Sequence, residues 1–258
     1  MANGAQHVNS DDPRHYAAPA NALRDRIVLI TGAGDGIGKA VALAVARFGA
    51  TVLLLGRTVR KLEAVYDEIV SAGGSIPAIV PFDFERAGAD EYRAVGDAIE
   101  HRYGRLDGLL HNAALFGVRT PIEQFDVPLW TRVLHVNLTA AMILTQTCLP
   151  WLRRSADASI VFTTCAVGRE PRAYWGAYAV AKHATQGLAQ LLADEFSGVP
   201  ALRVNCIDPG AVRTLRRLEM FPGDLAATLV EPAAIVAPYL YLLGPASAGL
   251  SGKLIEAQ

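Results

Sequence analysis

The chain has 258 residues, 52% of them hydrophobic, and a formal net charge of −1. That length suits one large α/β domain or two small ones, the apolar content excludes a disordered chain, and the lack of any run of like charge leaves no footprint for nucleic acid. The three cysteines, Cys148, Cys165 and Cys206, are odd in number and lack metal-ligand spacing, which points to a reducing, cytoplasmic setting and to no metal site.

Residues 1–22 are polar and proline-containing and read as a flexible arm, not a secretory signal. No uninterrupted apolar run reaches the length of a membrane span, so no membrane partner is expected. From about residue 23 apolar runs recur with room for a helix between them. The runs predict strands at Ile27–Ile30, Thr51–Leu55, Ser75–Phe82, Leu106–Leu110, Ser159–Thr163, Leu202–Ile207 and Lys253–Ile255. The segments between them predict helices at Lys39–Phe48, Arg60–Ala72, Tyr92–Tyr103, Val127–Arg154, Trp175–Ser197 and Pro232–Leu243. Continuous rather than alternating apolar runs are what strands covered on both faces require. The expected architecture is therefore one Rossmann-type, doubly wound α/β domain over 23–258, with about seven parallel strands and helices on both faces.

The first strand opens into Thr31–Gly38, T-G-A-G-D-G-I-G, and then a helix former. Bare backbone there lets a pyrophosphate approach the helix start, making Gly32, Gly34, Gly36, Ile37 and Gly38 candidate cofactor contacts; a glycine turn kept for packing is the alternative. The second strand ends Leu55-Gly56-Arg57 with no acid, so Arg57 is a candidate for a ribose 2′-phosphate. NADP(H) is favoured and NAD(H) left possible, because Arg57 could instead be a solvated helix start and Asp35 brings a negative charge nearby. Asp83, ending the third strand, could accept from an adenine amino group or cap the next helix. After the fourth strand, His111 reads as a packed histidine, while Asn112, Ala113 and Ala114 allow close approach of a cofactor. Asn137 lies in a long apolar helix, where it is costly unless paired. Tyr178 and Lys182, four residues apart, share a helix face, and a cation beside a phenol favours proton transfer by lowering its pKa.

Together Thr31–Gly38, His111–Ala114, Asn137, Tyr178/Lys182 and Asn205–Thr214 (N-C-I-D-P-G-A-V-R-T) resemble the short-chain dehydrogenase/reductase family, in order from about Arg24 to Ile255. The stretch Phe162–Thr185 is especially similar to its YciK-like branch. The resemblance implies hydride transfer between nicotinamide and a small carbonyl or alcohol substrate. It implies Tyr178 as proton carrier, Lys182 on the nicotinamide ribose, and Asn137 anchoring a relay water. It further implies Asn112 and Ala113 beside the cofactor, with Pro209, Gly210 and Thr214 on the nicotinamide amide side.

Two positions depart from the family pattern. Cys165 stands where the family has a serine thirteen residues before its tyrosine, and a thiol is the weaker donor; a redox-responsive thiol is the other reading. Ala114 replaces the glycine of Asn-Ala-Gly. Loops beyond the strands carry Leu115, Phe116, Trp175, Leu215, Met220 and Phe221 with Arg169, Arg172, Arg213, Arg216 and Arg217, either an apolar pocket with a cationic rim or solvated arginines over a packed lid. The helices Val127–Arg154 and Trp175–Ser197 resemble the pair through which family members associate, implying a homodimer or homotetramer. The family's Asp-Gly-Gly and longer tail do not follow the last strand, implying no contribution to a neighbour's pocket. The expected function is an NADP(H)-dependent oxidoreductase; the alternative is a non-catalytic nucleotide-binding sensor or scaffold.

Overall fold

The computed structural model describes residues 12–199 and 201–258. In chain order it places β1 (Ile27–Thr31), α1 (Gly36–Arg47), β2 (Thr51–Gly56), α2 (Val59–Ser71), β3 (Ala78–Pro81), α3 (Ala89–Tyr103) and β4 (Gly108–His111). There follow α4 (Val127–Leu134), α5 (Ala140–Leu152), β5 (Ala158–Thr163), α6 (Gly176–Glu195), β6 (Leu202–Asp208), α7 (Leu215–Met220), α8 (Ala237–Leu243) and β7 (Leu254–Glu256). All seven strands are parallel, in the order β3-β2-β1-β4-β5-β6-β7.

Successive residues of a strand point to opposite faces, and here both sets are buried. Val28, Ile30, Val52 and Leu54 pack under residues of α1, α2 and α8, while Leu29, Leu53, Leu55 and Leu109 pack under α3, α5 and α6. Two-sided burial is why the strands read as unbroken apolar runs. The strand order reverses between β1 and β4, which opens a crevice at their carboxyl ends.

Several boundaries differ from expectation. The third strand covers Ala78–Pro81 rather than Ser75–Phe82, since Pro77 has no N–H for the ladder and pairing starts with Ala78 opposite Leu53. Helix α1 begins at Gly36 because the Asp35 carboxylate accepts from the Gly36 N–H at 2.7 Å. Residues Pro232–Ile235 form a 3₁₀ turn ahead of α8, and the six-residue α7 is too short to show a period in sequence. The expected helix Val127–Arg154 is α4 and α5 joined by one π turn, His135–Thr139. Continuing through that turn gives a helix of 26 residues, Val127–Leu152, long and apolar enough to cross a membrane by length and composition, although Arg132, His135, Asn137 and Gln146 interrupt its apolar run. Its residues Ala140, Leu144, Cys148 and Leu152 are buried in the core against the sheet.

Of the expected N-terminal arm, residues 1–11 lie outside the described residues. The described part is not free: Tyr16 meets Tyr241 edge-on at 5.4 Å, and Tyr16 and Ala18 pack on the core that α8 covers.

At the amino end of the sheet, Asp157 takes Arg26 at 2.7 Å and also pairs with Arg203, whose side chain is only 2% exposed. Asp157→Asn leaves that guanidinium without its counter-charge. We expect a loss of about 2–3 kcal/mol in urea unfolding, below the value for a fully buried pair because Asp157 is partly wet; a loss under about 0.5 kcal/mol, the range of ordinary surface changes, would show the pair to be dispensable.

Candidate functional site

The carboxyl ends of β1, β4, β5 and β6 border one cleft of about 520 Å³. Its floor begins at the glycine turn. Gly32 and Gly36 have φ of +67° and +51°, a region that disfavours side chains. A Cβ on Gly34 would meet Lys61 Cβ at 2.9 Å, and one on Gly36 would meet Thr214 Cγ2 at 3.0 Å. Bare backbone therefore faces the cleft at the N-terminus of α1, a donor set suited to a pyrophosphate. Gly32, Gly34, Gly36 and Ile37 line the cleft. Gly38 is not among its lining residues: a Cβ there would collide with the Gly32 carbonyl and lie 2.7 Å from Asn112 Nδ2, so its bareness serves packing of the turn on the helix.

Asn112 and Ala113 line the cleft where β4 ends. Their N–H groups donate to Thr31 Oγ1 at 2.9 and 3.0 Å, which ties β4 to the turn after β1. Arg57 lines the far end and is 67% exposed, paired at 3.2 Å with Glu85, which also binds Arg132. Lys61 pairs with Asp35 at 2.5 Å beside it. Asp83 lines the cleft too; its Oδ1 accepts from the Glu85 N–H at 3.1 Å, a turn contact, and α3 is capped by Gly88 instead.

At the other end Tyr178 and Lys182 lie one turn apart on α6, only 6% and 4% exposed, and line the cleft with Thr163, Thr164 and Cys165. Lys182 Nζ donates to the Thr163 carbonyl at 2.7 Å and lies 5.7 Å from the Tyr178 ring centroid. Burial pushes the Tyr178 phenol well above its ordinary value, the adjacent Cys165 adding to this and Arg216 opposing it. Burial also pushes Lys182 down. The expected lowering of Tyr178 by Lys182 is thus not found, because taking the phenolate out of water outweighs the neighbouring cation. The Cys165 thiol is likewise raised by burial, which removes the basis for a redox-responsive thiolate.

Asn137 is not on the cleft. It sits in the π turn, with Oδ1 accepting from Leu115 N–H at 3.2 Å and Nδ2 donating to the Leu115 and Val133 carbonyls at 2.7 and 2.8 Å. These bonds satisfy the buried amide. Behind Lys182, Asn137 borders a second cavity of about 10 Å³, shared with His111, Thr163 and Thr185. That is roughly the room one water needs. His111 is packed, as expected, stacked on Phe162 at 4.6 Å. Thr145 Oγ1 donates to the Ala141 carbonyl at 2.9 Å, so the 2.8 Å contact to His111 Nε2 assigns the ring proton to Nε2.

Phe116 meets Tyr178 edge-on at 5.4 Å and Trp175 at 5.6 Å, and Trp175 packs on Phe221 at 5.3 Å, forming with the buried Met220 an apolar cluster that reaches the cleft lining at Tyr178 and Met220. The expected cationic rim is largely neutralised from within. Arg169 pairs with Asp208 at 3.2 Å and with Glu256, Arg213 with Glu231, and Arg217 with Asp224 at 2.6 Å. Arg172 is exposed away from the lining residues, whereas Arg216 lines the cleft. Pro209, Gly210 and Thr214 line it as well, the Pro209 carbonyl accepting from Gln258 Nε2 at 2.6 Å and Thr214 Oγ1 from the Arg217 N–H at 3.0 Å.

Thr31, Lys61, Thr163 and Asp208 were not singled out from sequence. Thr31 was readable as the first residue of the glycine stretch. The others lacked a signal, since their roles depend on partners 19 to 39 residues away or on a cavity between elements.

The short chain dehydrogenase family profile matches residues 26–222. The oxidoreductase YciK of Escherichia coli is 43% identical over 244 residues, covering 95% of this chain and 96% of that protein. A solved short chain dehydrogenase from Pseudomonas syringae superposes with a TM-score of 0.93 at 49% identity, covering 94% of this chain and 98% of that one. Another, from Shigella flexneri and complexed with NADP, gives a TM-score of 0.90 at 42% identity, covering 93% and 100%.

Burial holds His111 neutral, with its pKa pushed down to about 3. Between that value and the ordinary one near 6.5 the unfolded chain binds a proton that the folded chain does not, so stability falls as pH falls across this window, by up to about 1.4 kcal/mol per pH unit. We expect His111→Gln to flatten the slope of unfolding free energy between pH 6.5 and 4.5; an unaltered slope would place the proton uptake elsewhere.

Proposed function

Because this chain belongs to the short-chain dehydrogenase family, we propose that it is an NADP(H)-dependent oxidoreductase interconverting a carbonyl and an alcohol on a small-molecule substrate. The observation that carries the reading is one cleft with bare glycine backbone at one end and the buried Tyr178–Lys182 pair, beside Cys165, at the other. When bound, the nicotinamide cofactor supplies or accepts hydride.

The backbone at Gly32, Gly34, Gly36 and Ile37 holds the pyrophosphate. Arg57, with no acid at the end of β2, takes the 2′-phosphate in exchange for its exposed contact with Glu85. Asp83 accepts from the adenine amino group. Asn112 and Ala113 bear on the nicotinamide half, with Pro209, Gly210 and Thr214 on its amide side.

Tyr178 moves the proton. Its burial keeps the phenol protonated, so in the reducing direction Oη acts as general acid toward the substrate oxygen. Lys182 has three donors and gives one to the Thr163 carbonyl, leaving two for the nicotinamide ribose and for a water behind it. The water-sized cavity that Lys182 shares with Asn137 supports a route by which Tyr178 is reprotonated. Asn137 shapes this cavity and fixes the Leu115 loop, since its amide makes three bonds to the Leu115 and Val133 backbone. Cys165 takes the place of a hydroxyl donor to the substrate oxygen, and its neutral thiol donates weakly. Exposed apolar side chains on the outward sides of α5 and α6, among them Met142, Val180 and Leu191, support association into a homodimer or homotetramer.

A second reading, a non-catalytic nucleotide-binding sensor, draws on Cys165 alone. Variants separate the two. Cys165→Ser restores a hydroxyl donor and is expected to speed NADPH-dependent reduction of diacetyl by about 5- to 10-fold, the worth of roughly one hydrogen bond. Tyr178→Phe is expected to slow it by about 10²- to 10⁴-fold; an unchanged rate would end the oxidoreductase reading. Arg57→Ala is expected to weaken NADPH by about 10-fold while barely moving NADH, read by fluorescence titration, as loss of one exposed charge-assisted contact predicts.

A further inference from the structure

The basic side chains round the cleft mouth are nearly all committed. Of those lining it, Arg57 pairs with Glu85, Lys61 with Asp35 and Arg217 with Asp224, and Lys182 is held by the Thr163 carbonyl. Arg216 differs: it lines the cleft, and among the described residues no carboxylate pairs with it. Glu219, three residues on, lines the same rim without forming an ion pair to it.

Helix geometry sets where Arg216 points. Residues four apart share a helix face, and Met220, four residues after Arg216, is buried in the cluster that includes Tyr178, Trp175 and Val167. Arg216 therefore lies on the side of α7 that turns toward the catalytic end. Its charge is felt at both Tyr178 and Lys182. Between them the cleft is lined by the apolar side chains of Leu115, Val212, Leu215 and Met220. An unpaired guanidinium at the rim of an apolar pocket is suited to a carboxylate, which it can bind through two parallel hydrogen bonds.

Resting on the oxidoreductase reading above, we propose that Arg216 selects the substrate, and that this substrate is a keto acid, or the matching hydroxy acid, with its carboxylate on Arg216 and its carbonyl against Tyr178 and Cys165. The rival anion is the cofactor's pyrophosphate, since Thr214 at the start of α7 lies close over Gly36. The hydrophobic body of the substrate would lie against Leu115, Leu215 and Met220, which favours an aryl or medium-chain compound over a small hydrophilic one.

The test compares 4-acetylbenzoate with its methyl ester in wild type, Arg216→Leu and Arg216→Lys. Affinity is measured by titration calorimetry at saturating NADP⁺, which has no hydride to give the ketone. In wild type the acid is expected to bind more tightly than the ester. In Arg216→Leu the acid-to-ester preference should fall by about 10- to 100-fold, as loss of hydrogen bonds to a charged group predicts, with Arg216→Lys in between. An equal preference in wild type and Arg216→Leu overturns the proposal. So does a rise in the NADPH dissociation constant of Arg216→Leu by more than about 5-fold, which would assign this arginine to the pyrophosphate. Diacetyl turnover by the wild type tests the underlying reading separately: acid-selective binding without turnover of any carbonyl would keep Arg216 as the selecting residue and sink the oxidoreductase.

Discussion

A buried ammonium is costly unless something polar holds it, and the Thr163 carbonyl at the end of β5 holds Lys182. That one bond fixes α6 against the sheet at the point where Tyr178 enters the cleft. Burial, and not that bond, shifts both groups. Each is removed from water, so the phenol is kept protonated and the ammonium is made readier to give up a proton.

The sheet supplies the frame for that pair. Because β1 and β4 are adjacent, Thr31 Oγ1 can gather the N–H groups of Asn112 and Ala113, and the glycine turn and the small residues after β4 become one continuous floor. Gly38 shows how close the packing is, since a single methyl there would collide with the turn. The π turn serves the same end. It lets Asn137 reach three backbone groups of the Leu115 loop and α4, and it leaves a water-sized cavity next to Lys182.

Charge around the mouth is arranged mostly to hold loops. Arg169 joins the segment after Cys165 to β6 and β7 through Asp208 and Glu256. Arg213 pins the strand-like contact between Val212 and Val230 through Glu231, and Arg217 closes α7 onto Asp224. These pairs are partly exposed, so each contributes little alone; their effect is to restrict where α7 and its neighbours sit over the apolar cluster. Arg216 stands apart from this scheme.

By itself the sequence determined the layers, the parallel order of βα units, the glycine turn and the Tyr178–Lys182 face. Those features are local, set by periods of two and 3.6 residues and by the absence of side chains at Gly32 and Gly36. Tertiary structure decided the rest. Asn137 bonds Leu115 across 22 residues, Arg169 bonds Asp208 across 39, and the raised phenol of Tyr178 reflects burial by elements remote in the chain. Periodicity carries no record of such partners, and so the direction of the Tyr178 shift, the packing role of Gly38 and the separateness of Arg216 emerged only once the helices were docked on the sheet.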